Sequence, residues 1–286
     1  MRVLNICNLK GGVGKTITAI NLAYVLSGIH GRRVLLVDND KQGNTSKFFG
    51  VHGYDHPGIE GIMTGAKSAE EVIRKTAYER IDIIPANMAL LAANKAVLLD
   101  TMTAQQTRIK NGLAPVAESY DFAIIDNAPD ENMSVINALT AGDDVIIPVK
   151  VDKFTFDGVD EMIQCIQQVQ ENFNPKLAFR GCVITSFKNN EVNQQGAAYM
   201  GGLSKYRLMK TQIHWSAKVD ESTFAALPIM KHSPRSWAAR DYKKLAAEYL
   251  AMVDGVLESG ASCAQAHTSA SVRVGVSESD NGEGRA

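Results

Sequence analysis

The chain has 286 residues, of which 45% are apolar and 21% charged, and its formal net charge is −1. That composition fits one large α/β domain with a sizeable core and singles out no acidic or basic partner. No apolar run approaches the roughly 18 residues of a membrane span. Met1 to Asn8 is too short for a secretory leader, so a cytoplasmic protein is expected. The four cysteines (Cys7, Cys165, Cys182 and Cys263) are scattered, which suits reduced core or tail thiols rather than a metal site.

In chain order, residues 2–8 (RVLNICN) read as a strand running into a glycine-rich loop. Residues 15–27 read as a helix, with Ile17, Ile20, Ala23, Val25 and Leu26 spaced for one buried side. The apolar run 33–38 (RVLLVD) suits a strand buried on both faces. Residues 50–66 are rich in Gly and His and read as an irregular surface insertion. Further strands are predicted at 81–85, 121–126, 144–149 and 177–185, with helical stretches between them. Such alternation predicts a mostly parallel twisted sheet with helices on both faces, the α/β class of a P-loop NTPase. The last predicted helix spans about 237–257. The domain is expected over 1–258, with 259–286 a Ser-, Gly- and Ala-rich polar tail expected to be disordered. Charge is segregated: Lys176 to Lys244 holds twelve basic and four acidic residues, an excess of +8, leaving −9 for the remainder. That asymmetry points to an anionic partner.

The strongest signal is Lys10-Gly11-Gly12-Val13-Gly14-Lys15-Thr16, set between a strand and a helix. A loop so placed aims backbone N–H groups at a phosphate, with the helix N-terminus favouring negative charge. Lys15 then reaches the β- and γ-phosphates, and the Thr16 hydroxyl can ligate Mg²⁺. A second element follows the next strand, Asp38-Asn39-Asp40-Lys41-Gln42-Gly43-Asn44, with two carboxylates at a strand's C-terminal end. A third, Tyr120 to Pro129 (YDFAIIDNAP), is an apolar strand ending in Asp126.

Leu9 stands where the general P-loop pattern has its first glycine, and Lys10 opens the loop. KGGVGKT resembles the deviant Walker A loop of the ParA/MinD group of ATPases, and Lys10 takes the place of their signature lysine. The resemblance covers roughly residues 1–250. It implies ATP and Mg²⁺ as cofactors, bound by Lys10, Gly11, Gly12, Val13, Gly14, Lys15, Thr16 and Ile17. It implies Thr16, Asp38 and Asp126 as the metal set, with Asp38 supporting Mg²⁺ or its loop. Lys10, Lys15 and Asp40 become the catalytic residues: Asp40 for the attacking water, Lys10 reaching across a dimer to the partner's nucleotide. Lys41 replaces the family's usual proline, Asp130 a common serine, and His214-Trp215 a Pro-Arg pair in a loop that usually contributes to the adenine pocket. Lys218 falls where the family often has a DNA-contacting arginine. Lys188, Arg207, Lys210 and Arg235 are further candidates for DNA contact. Trp215 and Trp237 suit packing, and His214 and His232 pair with no nucleophile.

The expected function is that of a short, Soj-like partition ATPase without an operator-binding domain of its own. It would form an ATP-dependent homodimer, bind DNA non-specifically, associate with the nucleoid when ATP-bound, and be stimulated by a ParB-like activator. A MinD-like membrane positioner shares the motifs but needs a C-terminal amphipathic basic helix, and here Asp254, Glu258 and a polar tail follow. A nitrogenase-reductase-like electron carrier needs cysteines near Asn127. A positioner of another cargo would use the same ATPase and the same DNA surface.

Overall fold

The computed structural model describes residues 1–152 and 155–270. Its strands are β1 (Arg2–Ile6), β2 (Val34–Asn39), β3 (Arg74–Lys75), β4 (Ile81–Ile84), β5 (Phe122–Asn127), β6 (Asp144–Lys150), β7 (Ala178–Phe187) and β8 (Gln212–His214). They form one sheet in the order β3-β4-β2-β5-β1-β6-β7-β8. Every pairing is parallel except β3 with β4. The helices are α1 (Lys15–Gly28), α2 (Asn44–Phe48), α3 (Ile59–Thr64), α4 (Ala69–Val72), α5 (Ala89–Leu99), α6 (Arg108–Leu113), α7 (Met133–Ala141), α8 (Thr155–Asn172), α9 (Glu191–Gly202), α10 (Ala217–Phe224), α11 (Ile229–His232) and α12 (Trp237–Ala270).

The predicted α/β sheet is present. Every residue of β2 and β5 is buried, which is why both read as continuous apolar runs. Alternate strand residues take opposite faces. Val3, Leu35, Val37, Ala123 and Ile125 pack with Ile59, Leu90, Ile109 and Ala138 of α3, α5, α6 and α7. On the other face α1 lies along β1, β2 and β5. The Asn21 side chain of α1 accepts the Ile229 amide of α11 at 2.9 Å, so α1 is enclosed on two sides. Val145, Ile147, Cys182 and Ile184 form a second core with Val159, Met162 and Ile166 of α8. Cys7, Cys165 and Cys182 are buried free thiols.

Three readings are corrected. The segment 50–66 is not an irregular surface insertion: α3 lies within it, and Ile59, Ile62 and Met63 are buried, their i, i+3, i+4 spacing giving one apolar side. The edge strands β3 and β8, two and three residues long, were not expected. The last helix runs on to Ala270 rather than ending near Leu257. The expected tail therefore falls partly within α12 and, from 271, outside the described residues. The first compact unit is Met1–Ala246. Among the described residues no helix is long and apolar enough to cross a membrane.

Register sets the site. β2 pairs with β5 so that Asp38 meets Asp126 and Asn39 meets Asn127, and β5 pairs with β1 so that Asp126 meets Ile6. Three strand ends and the loop after β1 thus open on one edge of the sheet, where ligands of open α/β sheets bind.

Candidate nucleotide site

The loop between β1 and α1 is shaped by Gly12 and Gly14, whose φ angles of 72° and 85° lie where residues with a Cβ are strained. A Cβ on Gly11 or Gly12 would meet nothing within 4 Å, so their side of the loop is open. Both ends are fastened. The Asn8 amide donates to the Pro148 carbonyl at 2.8 Å, and its oxygen accepts the Lys10 amide at 2.9 Å. The Thr185 hydroxyl of β7 donates to the Val13 carbonyl at 2.8 Å. No side chain caps α1, so its first N–H groups remain available to an anion. Lys15 is buried, and its ammonium donates to the Lys10 carbonyl at 2.9 Å, closing over the loop. Burial lowers its pKa, opposed by Asp126, Cys7 and Asp40.

The carboxylates divide by their partners. Asp38 is fully buried and accepts the Ser46 amide at 2.8 Å, the Ser46 hydroxyl at 2.6 Å and the Asp40 amide at 3.2 Å. The Ser46 hydroxyl oxygen in turn accepts the Ala86 amide at 2.9 Å. Asp38 therefore fixes the loop from β2 to α2. Asp126 accepts the Thr45 hydroxyl at 2.7 Å through Oδ2, while its buried Oδ1 has no hydrogen-bond partner. Burial pushes Asp126 up to about 6, against the hydroxyls of Thr45 and Thr16 and the charge of Lys15. Burial and Asp126 push Asp38 up to about 7. An enclosed carboxylate oxygen without a donor, beside a threonine hydroxyl, suits a hard divalent cation. Asp40 is half-buried and accepts the Gln42 amide at 2.9 Å. It is close enough to raise Asp126 and to support the charge on Lys15.

Several participants lay outside the expected set. Thr45 and Ser46 directly follow the loop 38–44, and only folding turns them back onto Asp126 and Asp38. A row of buried amides runs under the site. Asn39 Nδ2 donates to Asn127 Oδ1 at 2.8 Å, and Asn127 Nδ2 donates to Asn5 Oδ1 at 3.1 Å, joining β2, β5 and β1. Lys10 pairs with Asp152, just beyond β6. Lys41 and Asp130, both departures from the family pattern, face each other at 4.0 Å.

The five basic candidates are all exposed, but the structure does not gather them. Lys188 follows β7 and lies over the Trp215 ring, 5.0 Å from its centroid. Lys218 on α10 is bridged to Glu221 at 2.8 Å. Arg235 precedes α12. Arg207 lies at the opposite end of β7, its guanidinium donating to the Phe179 carbonyl at 2.9 Å, and Lys210 precedes β8. Beyond the C-terminal ends of β7 and β8 a cavity of about 570 Å³ is lined by Phe187, Lys188, Asn189, His214, Trp215 and Trp237. His214 is held there by Asp241 at 2.8 Å.

A strand, a lysine-bearing glycine loop, a helix and an enclosed aspartate on the neighbouring strand define a P-loop nucleotide-binding protein. A family model described as an AAA domain matches residues 1–179. The sporulation initiation inhibitor protein Soj of Bacillus subtilis is 34% identical over 254 residues, 87% of this chain and 98% of Soj. The chromosome partitioning protein ParA of Caulobacter vibrioides is 30% identical over 254 residues, 87% of this chain and 94% of ParA. Among solved structures, cobyrinic acid a,c-diamide synthase from Mycobacterium smegmatis, with bound ATP analogue and magnesium, superposes with a TM-score of 0.75 at 26% identity. That match covers 86% of this chain and 93% of the synthase. The chain belongs to this AAA domain family and is an ATPase of the ParA/MinD type.

Proposed function

We propose that this protein is an ATP-dependent DNA partition ATPase that closes into an ATP-sandwich dimer, holds DNA without sequence preference in that state, and releases it after hydrolysis. The observation that carries the reading is one loop with two lysines in different settings. Lys15 is buried within it, and Lys10 is part-exposed at its mouth. The likeness to Soj and ParA over nearly their whole lengths supports the rest.

Lys15 and the first amides of α1 bind the β- and γ-phosphates. Thr16 and the unpartnered oxygen of Asp126 would hold Mg²⁺, which would supply positive charge to the phosphates. Asp38, saturated by Ser46 and Asp40, acts through the loop rather than on the metal. Asp40 orients the attacking water. Lys10 reaches the partner protomer's nucleotide, where its cation stabilises charge that develops in the transition state. The base lies toward the aromatic cavity at the ends of β7 and β8. The protein works in the cytoplasm on the nucleoid, and a ParB-like activator raises its turnover.

Light scattering of the full chain tests this. With ATP and Mg²⁺ the protein should size as a dimer, and with ADP as a monomer. Lys10→Ala should lose turnover while keeping its ADP affinity. A dimer independent of nucleotide, with Lys10→Ala as active as the unmutated chain, would overturn the reading.

A further inference from the structure

Arg207 has no part in the nucleotide site, yet its placement strains the backbone. Its φ of 46° and ψ of 50° are left-handed, a conformation unfavourable for a residue with a Cβ. The strand it packs on is irregular at the same spot. β7 slips in register against β6 between Phe179 and Gly181. Gly181 has a φ of 142°, and a Cβ there would lie 2.1 Å from the Arg207 carbonyl oxygen. A bulge, a glycine and a strained arginine therefore occur together, as they do where a fold re-aims one side chain. The guanidinium is set at the start of β7, where Nη1 donates to the Phe179 carbonyl at 2.9 Å. Its Nε and Nη2 form the edge that can grip a carboxylate with two parallel bonds, and they donate to nothing among the described residues.

Arg207 lines a cavity of about 600 Å³ between α8 and the start of β7, at the end of the sheet away from the nucleotide loop. Ile163, Ile166, Gln167 and Gln170 turn one face of α8 to it, at i, i+3, i+4 and i+7. Ile166, Leu177 and Phe179 are buried and make an apolar floor. The Gln170 amide is fixed by donating to the Leu177 carbonyl at 2.7 Å. Ser204 and Lys205 complete the rim, and the Lys205 ammonium is paired with Asp160 at 2.8 Å. Among the described residues no carboxylate lines the cavity, so the charge of Arg207 is uncompensated there. An apolar floor beside a fixed guanidinium, in a cavity of this volume, suits an amphiphilic anion of small-molecule size. A duplex phosphate has no apolar body to lay on Ile166 and Phe179. We propose that the cavity binds a small organic acid, its carboxylate on the Nε–Nη2 edge of Arg207 and its apolar body on Ile166, Leu177 and Phe179. The site stands apart from the nucleotide, and the inference does not rest on ATP hydrolysis or on DNA binding.

The probe is 4-phenylbutyrate, titrated into the full chain by ligand-observed NMR with ADP present to fill the nucleotide site. It should bind saturably. 4-Phenylbutanol has the same body without the carboxylate and should bind at least about tenfold more weakly, the scale of a charge-assisted bidentate pair. Butyrate, with the carboxylate and no ring, should lose at least about tenfold as well, for want of apolar burial. Arg207→Gly should lose the probe by a similar factor and keep its thermal midpoint, because glycine takes the left-handed backbone without strain. Arg207→Lys keeps the charge without the fork and should fall between that variant and the unmutated chain. Binding of the probe that does not saturate by about 10 mM, too weak for a formed site, overturns the proposal. Equal binding of the acid and the alcohol by the unmutated chain overturns it too, with no variant needed. So does a folded Arg207→Gly that binds the probe as well as the unmutated chain, which would place the probe elsewhere.

Discussion

Asp126 and Asp38 sit side by side in the register of β5 and β2, both enclosed. Their carboxyls are pushed up to about 6 and about 7, from an ordinary value of 3.8. Between those values the folded chain keeps protons that the unfolded chain has lost. Their contribution to stability is therefore complete below about pH 4 and declines as the pH rises through about 6 to 7. Asp126→Asn has no charge to enclose. Without nucleotide it should unfold a few degrees later than the unmutated chain at about pH 7.5, and no later at about pH 4, in calorimetry. An equal shift at both pH values would mean that packing, not ionisation, is responsible. The same variant should lose the added stability that Mg²⁺ with ATP gives the unmutated chain. The proposed function assigns Lys15 to binding and Asp40 to chemistry. Lys15→Ala removes the buried cation of the glycine loop and should abolish binding of a fluorescent ATP analogue. Asp40→Ala should bind the analogue and fail to turn over. Equal loss of binding in both would contradict that division.

At the scale of elements, the row Asn39, Asn127 and Asn5 links three central strands under the phosphate loop. Asn39 also donates to the Ser134 carbonyl at 3.0 Å, and Asn5 to the Ala138 carbonyl at 3.0 Å, so α7 is tied in as well. Asn127→Ala would strand the Asn5 oxygen and remove the acceptor of Asn39, costing about 1–3 kcal/mol. Urea unfolding should show a lowered midpoint with an unchanged slope. A loss under about 0.5 kcal/mol would mean that water replaces the amide and the row adds little. None of this was legible in the chain order, because the contacts lie 88 and 122 residues apart. What was legible follows from burial. Central strands enclosed on both faces read as continuous apolar runs, and the glycine loop between β1 and α1 stands out because φ near 70–85° selects glycine. The edge strands are too short to show a period. The two carboxylates at the end of β2, Asp38 and Asp40, look alike in the sequence, and only folding turns Ser46 back onto Asp38. Asp152 gave no signal, since its partner is 142 residues away.

For the whole molecule, the proposed DNA binding has two ends of the sheet to choose between. The +8 window is a linear count, and it mixes two ends of a ten-residue strand, about 30 Å apart. Lys188, Lys218 and Arg235 belong to the C-terminal edge, which also carries the nucleotide loop. The Arg207 guanidinium reaches the other end, where it is already tied to the Phe179 carbonyl, and Lys210 lies between, next to Met209, whose amide bonds the Cys182 carbonyl midway along β7. A duplex whose affinity depends on ATP should lie where closure of the dimer joins two basic surfaces, beside the nucleotide, and there avidity raises binding well above that of a monomer. Phosphate contacts release counterions, so affinity should fall steeply with salt and be indifferent to sequence. Lys218→Ala and Lys188→Ala should each flatten the log–log salt slope by roughly one unit per site, or two per symmetric dimer. Lys218 should give the smaller effect, because its bridge to Glu221 already offsets part of its charge. Arg207→Ala should leave the slope as it was. The measurement is anisotropy of a random labelled duplex with ATP and Mg²⁺ across a salt series. A flattened slope for Arg207→Ala alone would move the DNA to the opposite end of the sheet. Salt-dependent binding that is equally strong with ADP would separate DNA affinity from the dimer altogether.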